Sequence, residues 1–295
     1  MSSVSRSAAS SPWMIGSWFV SIKNSRRPEV IRPATEQDRR IFYRCADEEG
    51  WRVPQVERRL FRDIWLRSAL ALSAGGCFCG LVTAVPHHES GWIGNLMVPA
   101  SLRGRGYGRR LFLAAVQALQ SCGVRSLWLT ASAQGQPLYE KEGFAPVGQI
   151  ERWVRSAGGL GCSVPKEEPL APLRQADRKA WGEERSPFLT QLVQCGHICR
   201  SGDAVLLRQP GDDMQILGPW YGRNLDEQRQ LLKQVTDCAP PGTELVTDVL
   251  ATSGLQPVLA EHGFAPAGST LLMAKGKLSV DLDQVVALGS LGSVG

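Results

Sequence analysis

A glycine- and arginine-rich run, placed between an apolar strand-like segment and a helix-patterned segment, has the residue types needed to bind phosphate. The run consists of Arg103, Gly104, Arg105, Gly106, Tyr107 and Gly108. Alternate glycines let the backbone turn tightly and approach a ligand closely, and the following helix directs free N–H groups and its positive dipole end to the same place. Arg109 and Arg110 add guanidinium groups that suit phosphate oxygens. The run therefore predicts a phosphate-binding loop.

The spacing of the glycines distinguishes this loop from two common nucleotide-binding loops. No Gly-Lys-Ser/Thr follows it, as a P-loop requires, and its glycines run GxGxG rather than GxGxxG. The form Arg-x-x-Gly-x-Gly, placed after Val98 and Pro99, resembles the loop with which the GNAT family of acetyl-CoA-dependent N-acetyltransferases binds the pyrophosphate of coenzyme A. A disordered RNA-binding segment is the alternative interpretation. The brevity of the run and the patterned apolar segments beside it disfavour that alternative.

A second motif strengthens this resemblance. Residues 138–144 have the form LYxxxGF, in the order and at the separation typical of the family. By this resemblance, which covers residues 29–155, acetyl-CoA is the expected donor and Tyr139 the expected general acid beside its sulfur. A packed aromatic ring with an exposed hydroxyl is the competing interpretation of Tyr139. Ser132 stands where the family often has an asparagine that contacts the cofactor, and by this resemblance its hydroxyl is expected to bind the cofactor.

The strand before the loop carries the other groups that the resemblance assigns to the donor. In the family, main-chain groups of this strand commonly bind pantetheine and the acetyl carbonyl, which places Leu96, Met97 and Val98 along the cofactor. The N–H of Val98 is then the expected hydrogen-bond donor to the oxyanion. The side chains of these residues are equally compatible with core packing.

The sequence does not identify a general base. Many family members have a glutamate on the strand before the loop, whereas residues 92–98 contain no acid and Asn95 can only orient a water or the substrate. A water chain or an acceptor that arrives neutral would also serve. The alternative candidates are Glu48, Glu49, His87, His88 and Glu89, of which the last three form a predicted exposed turn. Residues 47–49 are acidic, and they either meet a cationic amine or form a solvated face.

Hydrophobic periodicity predicts the elements that position these residues. The first are a strand at 30–35 and helices within 36–70 that are interrupted near Gly50 and Pro54. Strands at 77–85 and 92–98 follow, and then a helix ending at Gly123, a strand at 127–131, a helix at 136–142 and a strand from Phe144. The predicted order, βααββαβαβ, gives an α/β fold with a mixed sheet and helices on both faces.

The second half of the chain echoes the first at an offset of 120 residues. The tetrapeptide Gly-Phe-Ala-Pro at 143–146 recurs at 263–266, in register with weaker matches. These matches pair Gln136-Pro137 with Gln256-Pro257, Pro99 with Pro219, Arg103 with Arg223 and Leu111 with Leu231. We therefore expect tandem GNAT-like domains, the second of them degenerate.

The second copy has lost the residues of the phosphate-binding loop. Asp226, Glu227 and Gln228 replace the residues of 106–108, and Leu259 replaces Tyr139. Asn224 with Glu227 resembles a capping box, and two acids at a helix start would repel a pyrophosphate. The opening of this half, with Asp177, Trp181-Gly182 and Arg185, is similar to the degenerate second domain of some two-domain bacterial acetyltransferases. A wall of the acceptor cleft, an interface and a purely structural appendage remain open as its role.

The length of 295 residues also favours two domains. The expected boundaries are an N-terminal extension at 1–28, a GNAT domain at 29–155, a linker at 156–172, the degenerate domain at 173–275 and a C-terminal tail at 276–295. Residues 1–27 are Ser-rich and lack acids, as transit peptides do. A disordered extension, or a start assigned too early with Met14 as the alternative, is the preferred interpretation of this segment.

Charge and cysteine content exclude several classes of protein. The net charge of +5 suits an anionic cofactor without requiring nucleic acid, and no run approaches the roughly 20 apolar residues of a membrane span. Eight cysteines without framework spacing indicate a reducing, cytoplasmic location. Cys195, His197 and Cys199 lack a fourth ligand, so we expect no metal and ordinary thiols there.

These observations lead to one functional hypothesis and one alternative. The hypothesis is an N-acetyltransferase that moves an acetyl group from acetyl-CoA directly to a primary amine of a small molecule or peptide. The alternative, which the missing acid of the strand keeps open, is a non-catalytic acyl-CoA-binding sensor or interaction module. The sequence leaves open whether the chain forms a homodimer.

Overall fold

The computed structural model describes residues 20–22, 28–156, 168–194, 196–211 and 214–295. The elements of the first half are β1 (Val20–Ile22), β2 (Glu29–Pro33), α1 (Glu36–Glu48), α2 (Gln55–Ser68), β3 (Ala69–Ala74), β4 (Cys77–Pro86), β5 (Ser90–Met97), α3 (Tyr107–Ser121), β6 (Ser126–Ala131), α4 (Gln136–Lys141) and β7 (Ala145–Arg155). Those of the second half are α5 (Leu170–Trp181), α6 (Ser186–Val193), β8 (His197–Ser201), β9 (Ala204–Gln209), β10 (Met214–Tyr221), α7 (Leu225–Asp237), β11 (Glu244–Leu250), α8 (Gln256–Glu261), β12 (Ala265–Gly276) and β13 (Val285–Ala287). Among all the residues that the structure describes, no helix has the length and apolar character that crossing a membrane requires.

The mixed α/β class is confirmed, but the predicted element order lacks two strands of the first half, β1 and β3. Residues 36–70 were expected to be helical, whereas α2 ends at Ser68 and Ala69–Ala74 form β3. Alanine and leucine favour a helix locally. In the fold, β3 pairs with β2 and β4, and its first five residues are buried, so sheet pairing and burial outweigh that preference.

The two ends of the first half also differ from the predicted boundaries. Val20–Ile22, within the expected extension, form an edge strand that pairs with β2. Helix α5 starts at Leu170, inside the expected linker. The rest of the predicted extension up to residue 27, and residues 157–167 of the linker, lie outside the described residues.

All thirteen described strands form one sheet. Their order is β1-β2-β3-β4-β5-β6-β12-β7-β11-β13-β10-β9-β8. The last strands of the two halves are exchanged, because β12 pairs with β6 of the first half and β7 pairs with β11 of the second. The two exchanged strands also pair with each other. Each half therefore depends on the other to complete its part of the sheet.

Four helices cover each face of this sheet. Helices α3, α4, α7 and α8 pack on one face, over two apolar clusters, one for each half. Helices α1, α2, α5 and α6 and the segment after β13 pack on the opposite face, over one cluster that joins both halves. At its centre the rings of Trp92 and Trp128 meet Trp181 with centroids 6.5 and 5.4 Å apart. The face that carries α1 and α2 is therefore closed by elements of the second half.

The second half repeats the helix and strand order of the first, with a changed loop. Residues 98–106 separate β5 from α3, whereas only residues 222–224 separate β10 from α7. Pro219 lies within β10, so the expected matches of Pro99 with Pro219 and of Arg103 with Arg223 do not hold in the structure. The later matches do hold, since α8 and β12 start 120 residues after α4 and β7. The shortened loop removes the space of a second phosphate-binding loop.

Candidate functional site

Strands β5 and β6 diverge where the predicted site begins. They pair in parallel only where Ser90–Trp92 face Ser126–Trp128, whereas β5 remains paired with β4 as far as Met97. The β4–β5 register shifts at Asn95, whose φ of 53° is the one left-handed value for a non-glycine residue in the described part of the chain. Such a bulge bends a strand locally. Beyond Trp92, the edge of β5 that faces β6 is therefore unpaired with it.

The loop between β5 and α3 has the shape of an anion site. Gly104 and Gly106 have φ values of 77° and 80°, and a Cβ atom on either would meet nothing within 4 Å. Gly106 is the N-cap of α3 and supplies no side chain to satisfy the helix start. Within the described residues, the amides of residues 104–108 find no protein acceptor. The loop therefore presents unsatisfied N–H groups and the positive end of a 15-residue helix.

Ion pairs engage three of the four arginines beside this loop. Arg103 pairs with Glu49 at 2.6 Å, and its Nε donates to the carbonyl of Val98 at 3.1 Å. Arg109 pairs with Glu142 at 2.7 Å, and Arg110 pairs with Glu29. Arg105 is exposed and makes no ion pair with any residue that the structure describes. Arg105 is thus the arginine most readily available to a phosphate.

Tyr107 contributes to the loop through its main chain. Its ring is buried in the cluster beneath α3, and its hydroxyl donates to Glu29 at 3.3 Å. The side chain of Tyr107 therefore anchors the start of α3, and only its amide faces the loop.

Tyr139 lies on α4, on the same face of the sheet as α3. Its side chain is buried, and its ring packs on Phe112 with centroids 4.9 Å apart. Burial raises the pKa of Tyr139 to about 12, so the hydroxyl stays protonated at neutral pH. Burial alone shifts this pKa, with no contribution from a hydrogen bond to any described residue, so the hydroxyl is available as a donor. Ser132 nearby is exposed, and its hydroxyl accepts from the amide of Gly135 at 3.3 Å.

The residues expected along the donor alternate between the two faces of β5. Leu96 and Val98 are half-buried against the cluster beneath α3, whereas Met97 is fully buried on the opposite face. The amide group of Asn95 donates to the hydroxyl of Thr83 at 3.1 Å, so β4 fixes its orientation. The structure therefore gathers the predicted strand, loop and tyrosine around the divergence of β5 and β6.

Of the predicted alternatives for the base, Glu49 reaches this site as the ion-pair partner of Arg103. The ring nitrogens of His87 are buried beside Phe188, and burial together with Arg185 lowers the pKa of His87 to about 3. Glu89 belongs to the same turn, which the carboxylate of Glu183 caps by accepting from the amides of Glu89 and Ser90. The expected exposed turn is thus in part a contact with the second half. His88 and Glu48 are exposed, and Glu49 is held by Arg103.

Sequence reasoning missed Glu57, a buried carboxyl on α2. Glu57 is only 4% exposed, and its Oε1 accepts a hydrogen bond from the amide of Leu291 at 2.7 Å. Burial raises the pKa of Glu57 to about 7, against the smaller opposing effect of the Leu291 hydrogen bond. A weak signal was present, because Glu57 precedes Leu60 and Phe61 by three and four residues and so interrupts an apolar helical face.

Comparison with known proteins identifies this arrangement. Residues 34–144 match the model of the acetyltransferase (GNAT) family. The chain carries a GNAT domain. A holothin acyltransferase from Pseudoalteromonas sp. (strain SANK 73390) is 24% identical over 269 residues, which are 83% of this chain and 87% of that protein. An uncharacterized N-acetyltransferase from Bacillus subtilis (strain 168), YitH, is 28% identical over 147 residues, 47% of this chain and 48% of that protein.

Solved structures agree with this fold. A Pyrococcus horikoshii protein assigned as an acetyltransferase superposes with a TM-score of 0.73 at 16% identity, over 88% of this chain and 94% of that one. A GCN5-related N-acetyltransferase from Sphaerobacter thermophilus superposes with a TM-score of 0.59 at 18% identity, over 87% and 98% of the two chains. Both superpositions extend well beyond the GNAT domain, so the second half shares the fold of these proteins as well.

The second half lacks the loop of the GNAT domain. Asn224 caps α7, and its side chain accepts from the amides of Asp226 and Glu227 at 2.9 and 3.3 Å. The reciprocal half of the expected capping box is absent, because the carboxylate of Glu227 accepts from the β8–β9 turn at Asp203 and Ala204 instead. Strand β13 also lies between the ends of β10 and β11, in the place of the open divergence of the GNAT domain.

No group of three or more histidine, cysteine, aspartate or glutamate side chains in the described part of the chain has the arrangement of metal ligands. His197 and Cys199 lie on β8, and Cys195 lies outside the described residues.

Proposed function

We propose that the GNAT acyltransferase domain uses acetyl-CoA and transfers its acetyl group directly to a primary amine of a small molecule or a peptide. The observation that carries this proposal is the loop of unsatisfied amides at 104–108, which opens beside the divergence of β5 and β6. Tyr139 provides a protonated donor on the same face. Acetyl-CoA supplies the activated acyl group, and the chain supplies its binding, orientation and proton handling.

The loop is suited to the diphosphate of coenzyme A. The amides of residues 104–108 and the start of α3 would hold the phosphate oxygens. Arg105 adds a guanidinium group without first breaking an ion pair, whereas Arg103 would exchange Glu49 for a phosphate. Along β5, the unpaired edge would bind the pantetheine, and the amide of Val98 is proposed as the donor to the acetyl oxygen.

The pKa of Tyr139 defines its proposed role. A thiol has an ordinary pKa of about 8.5, whereas that of Tyr139 is about 12. Complete proton transfer from the phenol to a thiolate of ordinary pKa would cost about 5 kcal/mol, at about 1.36 kcal/mol per pKa unit. We therefore assign Tyr139 a hydrogen bond to the departing sulfur, which stabilises the thiolate without giving up the proton. The thiolate then takes its proton from solvent.

Calorimetric titration of acetyl-CoA tests the donor. We expect micromolar binding, and weaker binding of dephospho-coenzyme A if the 3′-phosphate contributes. Release of free thiol with a panel of aniline, benzylamine and the tripeptide Gly-Gly-Phe tests transfer. No binding by folded protein would refute the proposal, because the open loop would then have no donor to hold.

One observation favours a second function, a binding module without catalysis. The chain's own residues 289–294 fill the face of the β5–β6 divergence opposite α3, where an acceptor would enter. Binding of acetyl-CoA without thiol release from any amine of the panel would support this alternative.

A further inference from the structure

The segment after β13 lies across the divergence of β5 and β6, on the face opposite Tyr139. The indole N–H of Trp92 on β5 donates to the carbonyl of Gly292 at 3.2 Å. Gly94 leaves no room for a side chain, because a Cβ there would clash with the carbonyl of Ser293. A Cβ on Gly292 would likewise collide with the hydroxyl of Thr130 on β6. The segment therefore contacts both diverging strands.

Main-chain polar groups hold this segment in place. The amide of Leu291 donates to Glu57 at 2.7 Å, and the carbonyl of Leu291 accepts from Arg152 at 3.4 Å. The hydroxyl of Ser290 accepts from the amides of Ser293 and Val294 at 3.1 and 3.0 Å. Glu57 and Arg152 thus bind an N–H and a carbonyl of the same residue, much as a site would bind an amide-like ligand.

The charged groups around Glu57 leave it without a cation of its own. Arg152 on β7 and Asp248 on β11 are the charged side chains that affect Glu57 from the neighbouring elements. Arg152 forms a bidentate pair with Asp248, with both contacts at 2.7 Å. Because this pair is satisfied internally, the environment of Glu57 is dominated by burial, and burial holds its pKa near 7. Such a carboxyl accepts and returns a proton at neutral pH.

A cavity lies next to Arg152, beside the exchanged strands. It has a volume of about 170 Å³ and is lined by Ile150, Arg152, Asp248 and residues 267–270. Arg152 therefore borders both the segment and the cavity, which gives a ligand that displaces the segment room to extend.

The groups that would act on the departing thiolate and on the acceptor amine lie on opposite faces of the divergence. Tyr139 belongs to the cluster beneath α3, where the loop and the donor are proposed to lie. Glu57 belongs to α2 on the opposite face. An amine adds to the acyl carbon from one side of the planar thioester. Because the donor is proposed to lie on the side of α3, the acceptor would reach that carbon from the face of Glu57 and release its proton there.

We propose that Glu57 is the base that binds and deprotonates the acceptor amine, in a cleft that residues 289–294 occupy in this structure. The amide of Leu291 then stands where an N–H of the acceptor binds. The amine nitrogen adds to the acetyl carbon, and the amide of Val98 stabilises the resulting oxyanion. Collapse of this tetrahedral intermediate breaks the carbon–sulfur bond. The amine proton goes to Glu57 and on to solvent, and the coenzyme A thiolate takes a proton from solvent. This inference rests on the proposed transferase function.

The test compares wild-type protein with Glu57→Gln, which keeps the shape of the protonated side chain. Thiol release is measured from pH 5.5 to 9 with aniline, benzylamine and Gly-Gly-Phe, and acetyl-CoA affinity is measured by calorimetry. We expect Glu57→Gln to lower kcat about 100-fold, within the usual range for a positioned acid or base, and to leave acetyl-CoA affinity unchanged. The rise of kcat with pH near 7 disappears in this variant, whereas Glu57→Asp retains it.

A matched control and a second measurement separate catalysis from folding. Glu36→Gln removes a partly exposed carboxylate on α1, and we expect it to leave both kcat and the pH profile unchanged. Amide hydrogen exchange of Leu291 in the wild-type protein should accelerate when coenzyme A and benzylamine are both present, because the acceptor displaces the segment. If Glu57→Gln fails to fold, the pH profile of Glu57→Asp and the amide hydrogen exchange of Leu291 test the proposal in its place.

The outcomes distinguish this inference from the function on which it rests. A wild-type protein that acetylates none of the three amines overturns the proposed function, and the inference with it. A wild-type protein that is active, with Glu57→Gln equally active and of the same pH profile, overturns the role of Glu57 alone. Unchanged exchange of Leu291 in an active complex would refute the displacement of the segment.

Discussion

The buried carboxyl of Glu57 makes a quantitative prediction about stability that needs no substrate. Its pKa is about 7 in the fold, against an ordinary value of 4.5. Between these values the folded state binds a proton that the unfolded state has released. The free energy of unfolding therefore falls as the pH rises from about 4.5 to about 7, and the full contribution is present only at lower pH.

The size of this fall follows from the two pKa values. Their difference of 2.5 units, 7 minus 4.5, corresponds to about 3 kcal/mol over the whole range. Between pH 5 and pH 8, the ionisation of this one group lowers the free energy of unfolding by about 2.5 kcal/mol. Glu57→Gln cannot ionise, so the stability of this variant relative to the wild type should rise by that amount across the interval.

Urea unfolding at pH 5 and pH 8, followed by the fluorescence of the nine tryptophans, measures this difference. The other titratable groups are the same in both proteins, so their contributions to the pH dependence of the free energy of unfolding cancel in the comparison. Glu36→Gln, which removes a partly exposed carboxylate whose pKa is lowered by Arg39, should show no such rise. Parallel pH dependence of wild type and Glu57→Gln would refute the reasoning, because Glu57 would then ionise in the fold as it does in water.

Three further predictions concern the donor site and the second half. Tyr139→Phe should lower kcat by about tenfold or more and leave acetyl-CoA affinity unchanged; equal thiol release by the two proteins would remove Tyr139 from the mechanism. Gly106→Glu should weaken acetyl-CoA binding in calorimetry by at least about tenfold, because it adds an anion and strains a residue at φ 80°, whereas Gly123→Glu, with a φ of 81° and similarly open surroundings at the other end of α3, should not. Asp177→Ala should destabilise the chain by about 3–5 kcal/mol in urea unfolding, because it leaves the buried guanidinium of Arg185 unpaired; a loss below about 1 kcal/mol would show that the pair is solvated.

Local sequence determined the parts of this protein that depend on neighbouring residues. The glycines of residues 104–108 predict a tight loop, and the apolar spacing from Leu111 to Leu119 predicts α3. The repeat predicts a second half of the same element order, and Asn224 predicts the cap of α7. Each of these features is encoded within a few residues, where periodicity and turn preferences act.

The tertiary structure alone decided the features that join distant parts of the chain. Sheet pairing turned Ala69–Ala74 into a strand, and the exchange of β7 and β12 joined the two halves. The hydrogen bond between Leu291 and Glu57 spans 234 residues of sequence. A helical pattern marks Glu57 only as a polar residue on an apolar face. Its surroundings, and hence its pKa and proposed role, arise only when α2 and the segment from β13 onwards pack on the same face of the sheet.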